Sequence, residues 1–276
     1  MSAAVLSVLV QPAFFCNVGL GQNAAITLAL IIGGWSLSKQ GHPLAAGLVW
    51  GFLAYKPTWG IAVCWIPLVV GQPRAYVGMF LSAGALSLLT LPVCGVGAWI
   101  SWFEVGHRVE AGYADALKWE WFRRDLTGLI NQVFGATHPV WGWIAMASVV
   151  AVTAVVWRRS ASNPLRPARD AVILSAIVLT CPRFMYYDIL MATPAMVVAL
   201  SGWKDLAKGA RKVLLALILA YFAAWPLGFD VWPWFWPVET ASILGVWLWC
   251  LWQLIPCGTS VGRNPVPADP PAPECS

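Results

Sequence analysis

Four polar clusters carry the residue types able to handle a charged or hydroxyl-rich ligand in an otherwise apolar chain. They are Gly21-Gln22-Asn23, Tyr55-Lys56-Pro57, Asn131-Gln132 and the run RFMYYD from Arg183 to Asp188. Each sits at the end of a hydrophobic segment. Ionisable groups at membrane depth are costly and face a cavity or a partner. Lys56 places a cation beside a proline break, where it suits neutralising a lipid phosphate or, without any ligand, snorkelling to headgroups. Arg183 has the planar fork that grips phosphate through two bonds. Asp188 offers a base or a partner for sugar hydroxyls, and Tyr186 or Tyr187 offers a ring to stack on a sugar. The competing reading of Arg183 and Asp188 is an ion pair that fixes a turn. Gln22 and Asn23 stand at a helix start, where Asn serves equally as a cap. Surface polarity accounts for Asn131 and Gln132 as well as substrate binding does. The acids between 98 and 125 read as solvated loop charge, and none stands out as a catalytic base.

The elements that must position these clusters are greasy. Of 276 residues, 59% are hydrophobic and 11% charged, against about 25% charged in soluble domains. Mean hydropathy is +0.70. The 19 tryptophans fit the enrichment of Trp at headgroup level. Apolar segments fall near 3–16, 24–38, 43–54, 58–70, 75–97, 138–157, 170–182, 189–202, 213–229 and 238–256. Several are shorter than the ~20 residues of a full span. The expected fold is an all-α polytopic membrane protein, a bundle of about 9–10 hydrophobic helices, some short or broken. A single transmembrane domain covers 1–256, with an extracytoplasmic loop at about 98–137 whose first part has an amphipathic look. A disordered, Pro-rich cytoplasmic tail covers 257–276.

Charge parity decides how 43–70 is threaded. Proline removes a donor and restricts the residue before it, so the chain is expected to reverse at Lys56, and again at Arg183. Lys39, Arg74, Arg158, Arg159, Arg166, Arg169, Lys204, Lys208, Arg211, Lys212 and Arg263 then share one side. Lys56, Arg108, Lys118, Arg123, Arg124 and Arg183 share the other, completing the 17 basic residues. The tight basic loops 157–169 and 203–212 land together, which the positive-inside rule makes cytoplasmic. All four polar clusters fall on the opposite face.

Several chemistries lack their signatures. The seven cysteines are scattered, with no CxxC pair, so neither a disulfide framework nor a zinc site is expected. The three histidines have no metal-ligand spacing. No P-loop, GxGxxG, HExxH or GxSxG occurs, and no cofactor is expected. The net charge of +5 resides in short inter-helix loops and is no nucleic-acid signal. Residues after Met1 have no basic region typical of a signal peptide.

Taken in order, these clusters resemble glycosyltransferase family 87, the polyprenol-phosphate-mannose-dependent mannosyltransferases of GT-C fold. The resemblance rests on Gly21-Gln22-Asn23, an apolar helix with a basic turn, then GLVWGFLAYKP at 47–57, Asn131-Gln132, and CPRFMYYD ending at Asp188. It implies an inner-membrane enzyme taking a hexose, usually mannose, from a polyprenyl phosphate carrier. The acceptor would be an envelope glycan or glycolipid on the extracytoplasmic side. Gln22, Asn23, Lys56, Asn131, Gln132, Arg183 and Tyr187 would bind the donor, and Asp188 is the candidate catalytic acid or base. One departure is plain. The family's catalytic acid lies in an early loop ahead of the GQN stretch, yet residues 1–21 contain no Asp or Glu. The expectation is therefore an N-terminally truncated member.

Two other classes compete. A secondary transporter builds its site from broken helices at the membrane midplane, whereas these breaks fall at one face. A non-catalytic membrane scaffold would keep the helices without the chemistry.

Overall fold

In the computed structural model, residues 12–115, 123–134, 139–161, 167–228 and 238–255 are described. Among them the protein is all-α, with one isolated β-bridge between Arg123 and Met185. The helices are α1 (Pro12–Gly19), α2 (Ala24–Lys39), α3 (Pro43–Gly51), α4 (Pro57–Cys64), α5 (Ile66–Val70), α6 (Arg74–Asp115), α7 (Leu126–Phe134), α8 (Pro139–Arg159), α9 (Pro167–Leu179), α10 (Thr193–Ser201), α11 (Lys208–Gly228) and α12 (Val238–Leu254). Short 3-10 turns occupy Phe52–Tyr55, Tyr186–Ala192 and Trp203–Asp205. The tail 257–276 and the stretch 229–237 lie outside the described residues.

Proline punctuates the bundle. Pro43 and Pro57 open α3 and α4 at first-turn positions, where a missing N–H costs nothing. The segment 43–70 is accordingly broken at Lys56, whose backbone is non-helical at φ −133° and ψ 76°. Glycine then fixes how α3 packs on α6. A Cβ on Gly47 would lie 1.9 Å from the Ala75 carbonyl oxygen, and one on Gly51 would lie 2.0 Å from Ser82 Oγ. The contact advances in the same sense along both helices, so α3 and α6 run parallel, backbone against backbone. Small residues four apart permit such approach between apolar helices. Parallel α3 and α6 require α4 and α5 to run back between them, so the chain reverses at Lys56 as charge parity demands.

The ends of the bundle are sorted. At one end Ser38 Oγ donates to Gln72 Oε1 at 2.7 Å, Lys39 pairs with Asp170, and Arg169 stacks 3.8 Å over the Trp157 ring. Gly202 faces Pro167 there too, so 157–170 and the basic segment after Gly202 share this end. At the other end lie Asn23, Lys56, Arg123–Asp125, Arg183–Asp188 and Glu239. Between them α9 is buried on every side from Ala171 to Leu179, the mark of a central helix. Trp50 and Trp59 are fully buried too, the Trp50 indole donating to the Ile31 carbonyl at 3.3 Å.

Two helical stretches, Arg74–Val105 and Val140–Arg159, are long and apolar enough to cross a membrane. Their outer faces are bare hydrocarbon, with Phe80, Leu89 and Val93 strongly exposed. The first part of the expected loop at about 98–137 is helical, as far as Asp115, as the continuation of α6. Its axis turns at Gly95, where φ 74° and ψ 162° is a backbone region open essentially to glycine alone.

Candidate active site

The site is assembled where two breaks meet. Lys56, at the reversal between α3 and α4, sends Nζ 2.6 Å to Asp188 Oδ1. Asp188 lies in the 3-10 turn that follows α9 and is 1% exposed, whereas Lys56 keeps 18% of its side chain open. The same ammonium lies 5.5 Å from the Tyr187 ring centre, and Tyr186 stands edge-on to Tyr187 at 5.3 Å. The buried Trp59 indole nitrogen faces the Asp188 carboxylate as a further, loose donor beside the Lys56 ammonium. The turn is therefore fixed by an ion pair, one of the two readings of the sequence, but the partner of Asp188 is Lys56, 132 positions away.

The GQN cluster borders this pair through its backbone. The Tyr55 hydroxyl donates to the Asn23 carbonyl at 3.4 Å and shares a 2.5 Å hydrogen bond with the Thr27 hydroxyl. Asn23 occupies the cap position of α2 yet makes no side-chain cap bond. Both Gln22 and Asn23 are exposed, so their amides face outward instead of serving the helix. Arg183 is partly exposed in the same turn as Asp188. Asn131 and Gln132 are half-buried within α7, the helix that Asp125 caps at this end of the bundle.

A second ionic layer lies beneath. Asp125 is fully buried and takes both Arg123 Nε and Nη2 at 3.0 Å. Its Oδ1 also accepts the Gly128 amide at 2.8 Å, capping α7. Burial pushes the Asp125 carboxyl up, against the pull of Arg123 and of backbone donors at Gly128 and Phe184. Arg124 is buried and pairs with buried Glu239 at the start of α12. Reading the acids of 98–125 as solvated charge therefore fails at Asp125, although it holds for Glu104, exposed and paired with Arg108. Glu239 has no local sequence signal beyond being an acid in the first turn of an apolar helix.

A groove of about 610 Å³ runs down the flank of the bundle between α2 and α10. Its walls include Ala25, Leu28, Ile32, Trp35, Pro194 and Val197. It starts beside the turn bearing Asp188, at Ala25 and Thr193, and ends at the Lys39–Asp170 pair. Almost all of its lining is hydrocarbon.

Residues 1–182 match the model of glycosyltransferase family 87. This chain belongs to that family. No curated protein and no solved structure matches it. Family 87 membership makes the chain a membrane glycosyltransferase, acting between a sugar donor and a glycan acceptor, and favours that reading over a transporter. The matched stretch includes Gln22, Asn23, Lys56, Asn131 and Gln132. Arg183, Asp188 and Glu239 lie beyond it, joined to the family region by the contacts above.

Proposed function

We propose that this family 87 member is a multi-pass cell-membrane enzyme of GT-C type. It moves a hexose, mannose in the first instance, from a polyprenyl phosphate to an envelope glycan or glycolipid on the extracytoplasmic side. The observation that carries this reading is the Lys56–Asp188 pair, with an apolar groove beginning at Thr193, directly after the turn that bears Asp188. An ammonium has three donors, and Asp188 occupies one of them. The partly open side of Lys56 leaves donors for a phosphate, while the groove suits the hydrocarbon of a lipid carrier.

In the proposed reaction an acceptor hydroxyl attacks the anomeric carbon. The bond from that carbon to the phosphate oxygen breaks, the hydroxyl proton passes to a base, and polyprenyl phosphate leaves. Lys56 and Arg183 stabilise the charge that grows on the phosphate, which preorganised donors do at little reorganisation cost. Gln22, Asn23, Asn131 and Gln132 contact sugar hydroxyls, and Tyr187 flanks the ring. Asp188 orients Lys56. The alternative role for this carboxylate is that of the base.

The test is transfer of labelled mannose from polyprenyl phosphate mannose in membranes holding the chain. Lys56→Ala and Arg183→Ala are each expected to lower turnover by about 10²-fold, the scale for losing one charge-stabilising donor. Unchanged transfer in both would overturn the assignment. Asp188→Asn separates the two roles of that residue. An orienting role raises donor KM, whereas a base role lowers kcat and removes the acid limb of its pH profile.

A further inference from the structure

The turn from Cys181 to Met185, which delivers Tyr187 and Asp188, has little regular structure of its own. Its external backbone support comes from residues 123–125, with the Asp125 carboxylate taking the Phe184 amide. The Arg124 amide donates to the Phe184 carbonyl at 2.6 Å, and Arg123 bridges Met185 in antiparallel fashion. Phe184 is in turn buried edge-on against Trp59, 6.0 Å between ring centres, three residues beyond Lys56. Arg123 is held by Asp125, and Arg124 is held by two side chains of α12. Glu239 pairs with the Arg124 guanidinium, and the Thr240 hydroxyl donates to the Arg124 carbonyl at 2.7 Å. Glu239 is 2% exposed and Arg124 7%. Breaking a buried ion pair by removing one member is strongly destabilising.

We infer that Glu239 is a positioning residue for the transfer site. By anchoring Arg124 from α12, it fixes the Phe184–Met185 backbone and so presents Asp188 to Lys56. Glu239 touches neither Lys56 nor Asp188; it acts through Arg124 and the turn. This inference rests on the proposed reading only in that the positioned pair is the one assigned to the donor phosphate.

Cysteine chemistry tests the positioning without relying on turnover. Cys181 is buried at the base of the turn, its thiol 3.5 Å from the Arg183 carbonyl. Cys250 is buried on α12, the helix that carries Glu239. The full chain keeps these two cysteines, with Cys16, Cys64, Cys94, Cys257 and Cys275 changed to serine, and N-ethylmaleimide labelling is followed at each. Glu239→Gln is expected to speed labelling of Cys181 by about tenfold, a local opening, with Cys250 unchanged. Glu239→Asp, which keeps the carboxylate, is expected to stay near the parent rate. An unchanged Cys181 rate in Glu239→Gln overturns the inference. So does a matching rise at Cys250, which means that α12 has loosened as a whole. Transfer assayed on the same samples should show a raised donor KM in Glu239→Gln. Absence of transfer in the parent chain would sink the proposed function, while the Cys181 result still decides the positioning role.

Discussion

At the scale of single residues, the site turns on a buried ion pair contributed by two chain breaks. Removing one partner leaves a charge in a poorly solvated place, which costs roughly 3–5 kcal/mol, whereas replacing both with apolar side chains is often neutral. Lys56→Met and Asp188→Leu are therefore each expected to lower the melting temperature in detergent, and the double variant is expected to recover most of the loss. A double variant as unstable as the sum of the singles would show that the pair is not coupled. Lys56 and Asp188 were legible in the sequence because each interrupts an apolar run, where a charge demands explanation. Arg124 and Glu239 were not. They lie 115 positions apart, and each has a bland local reading as a loop charge or a helix-start acid. Only tertiary burial converts them into a pair.

At the scale of elements, glycine decides how closely α3 and α6 approach. Gly47 and Gly51 were visible in the sequence as part of the GLVWGFLAYKP stretch, but the parallel packing they permit emerges only from the contact with Ala75 and Ser82. Gly47→Ala drives a methyl into the Ala75 backbone and is expected to cost about 1–3 kcal/mol through overpacking. Gly84→Ala, on the same α6 with nothing within 4 Å of the added carbon, is expected to stabilise by up to about 1 kcal/mol from helix propensity. Thermal unfolding of the two variants checks the contrast in sign. Equal effects would mean that the close approach is not maintained. Broken segments were readable from proline. The amphipathic look of the first part of 98–137 hinted at the helical continuation of α6 to Asp115, whereas the turn at Gly95 was not legible.

At the scale of the whole molecule, charge parity predicted which loops share an end, and the hydrogen bonds and ion pairs bear out that grouping. Ser38–Gln72, Lys39–Asp170 and Gly202–Pro167 cluster at one end; Asn23–Tyr55, Lys56–Asp188 and Arg124–Glu239 cluster at the other. The proposed orientation has a direct check. Single cysteines at exposed Gln22 and exposed Lys208 should react with an impermeant reagent from opposite sides, Gln22→Cys from outside and Lys208→Cys only after the membrane is opened. Labelling of both from the same side would break the proposed topology.

The reversal at Lys56 also has a consequence for the lipid around the protein. The helical run from Pro43 to Tyr55 rises only about 20 Å at 1.5 Å per residue, against a hydrocarbon thickness of about 30 Å. In the proposed orientation, with Pro43 near one surface, Lys56 stops well short of the opposite one. The bilayer must pucker inward to meet it, or a headgroup must descend to it. Under the proposed function, a carrier phosphate that descends to that depth has the shortest path to the lysine.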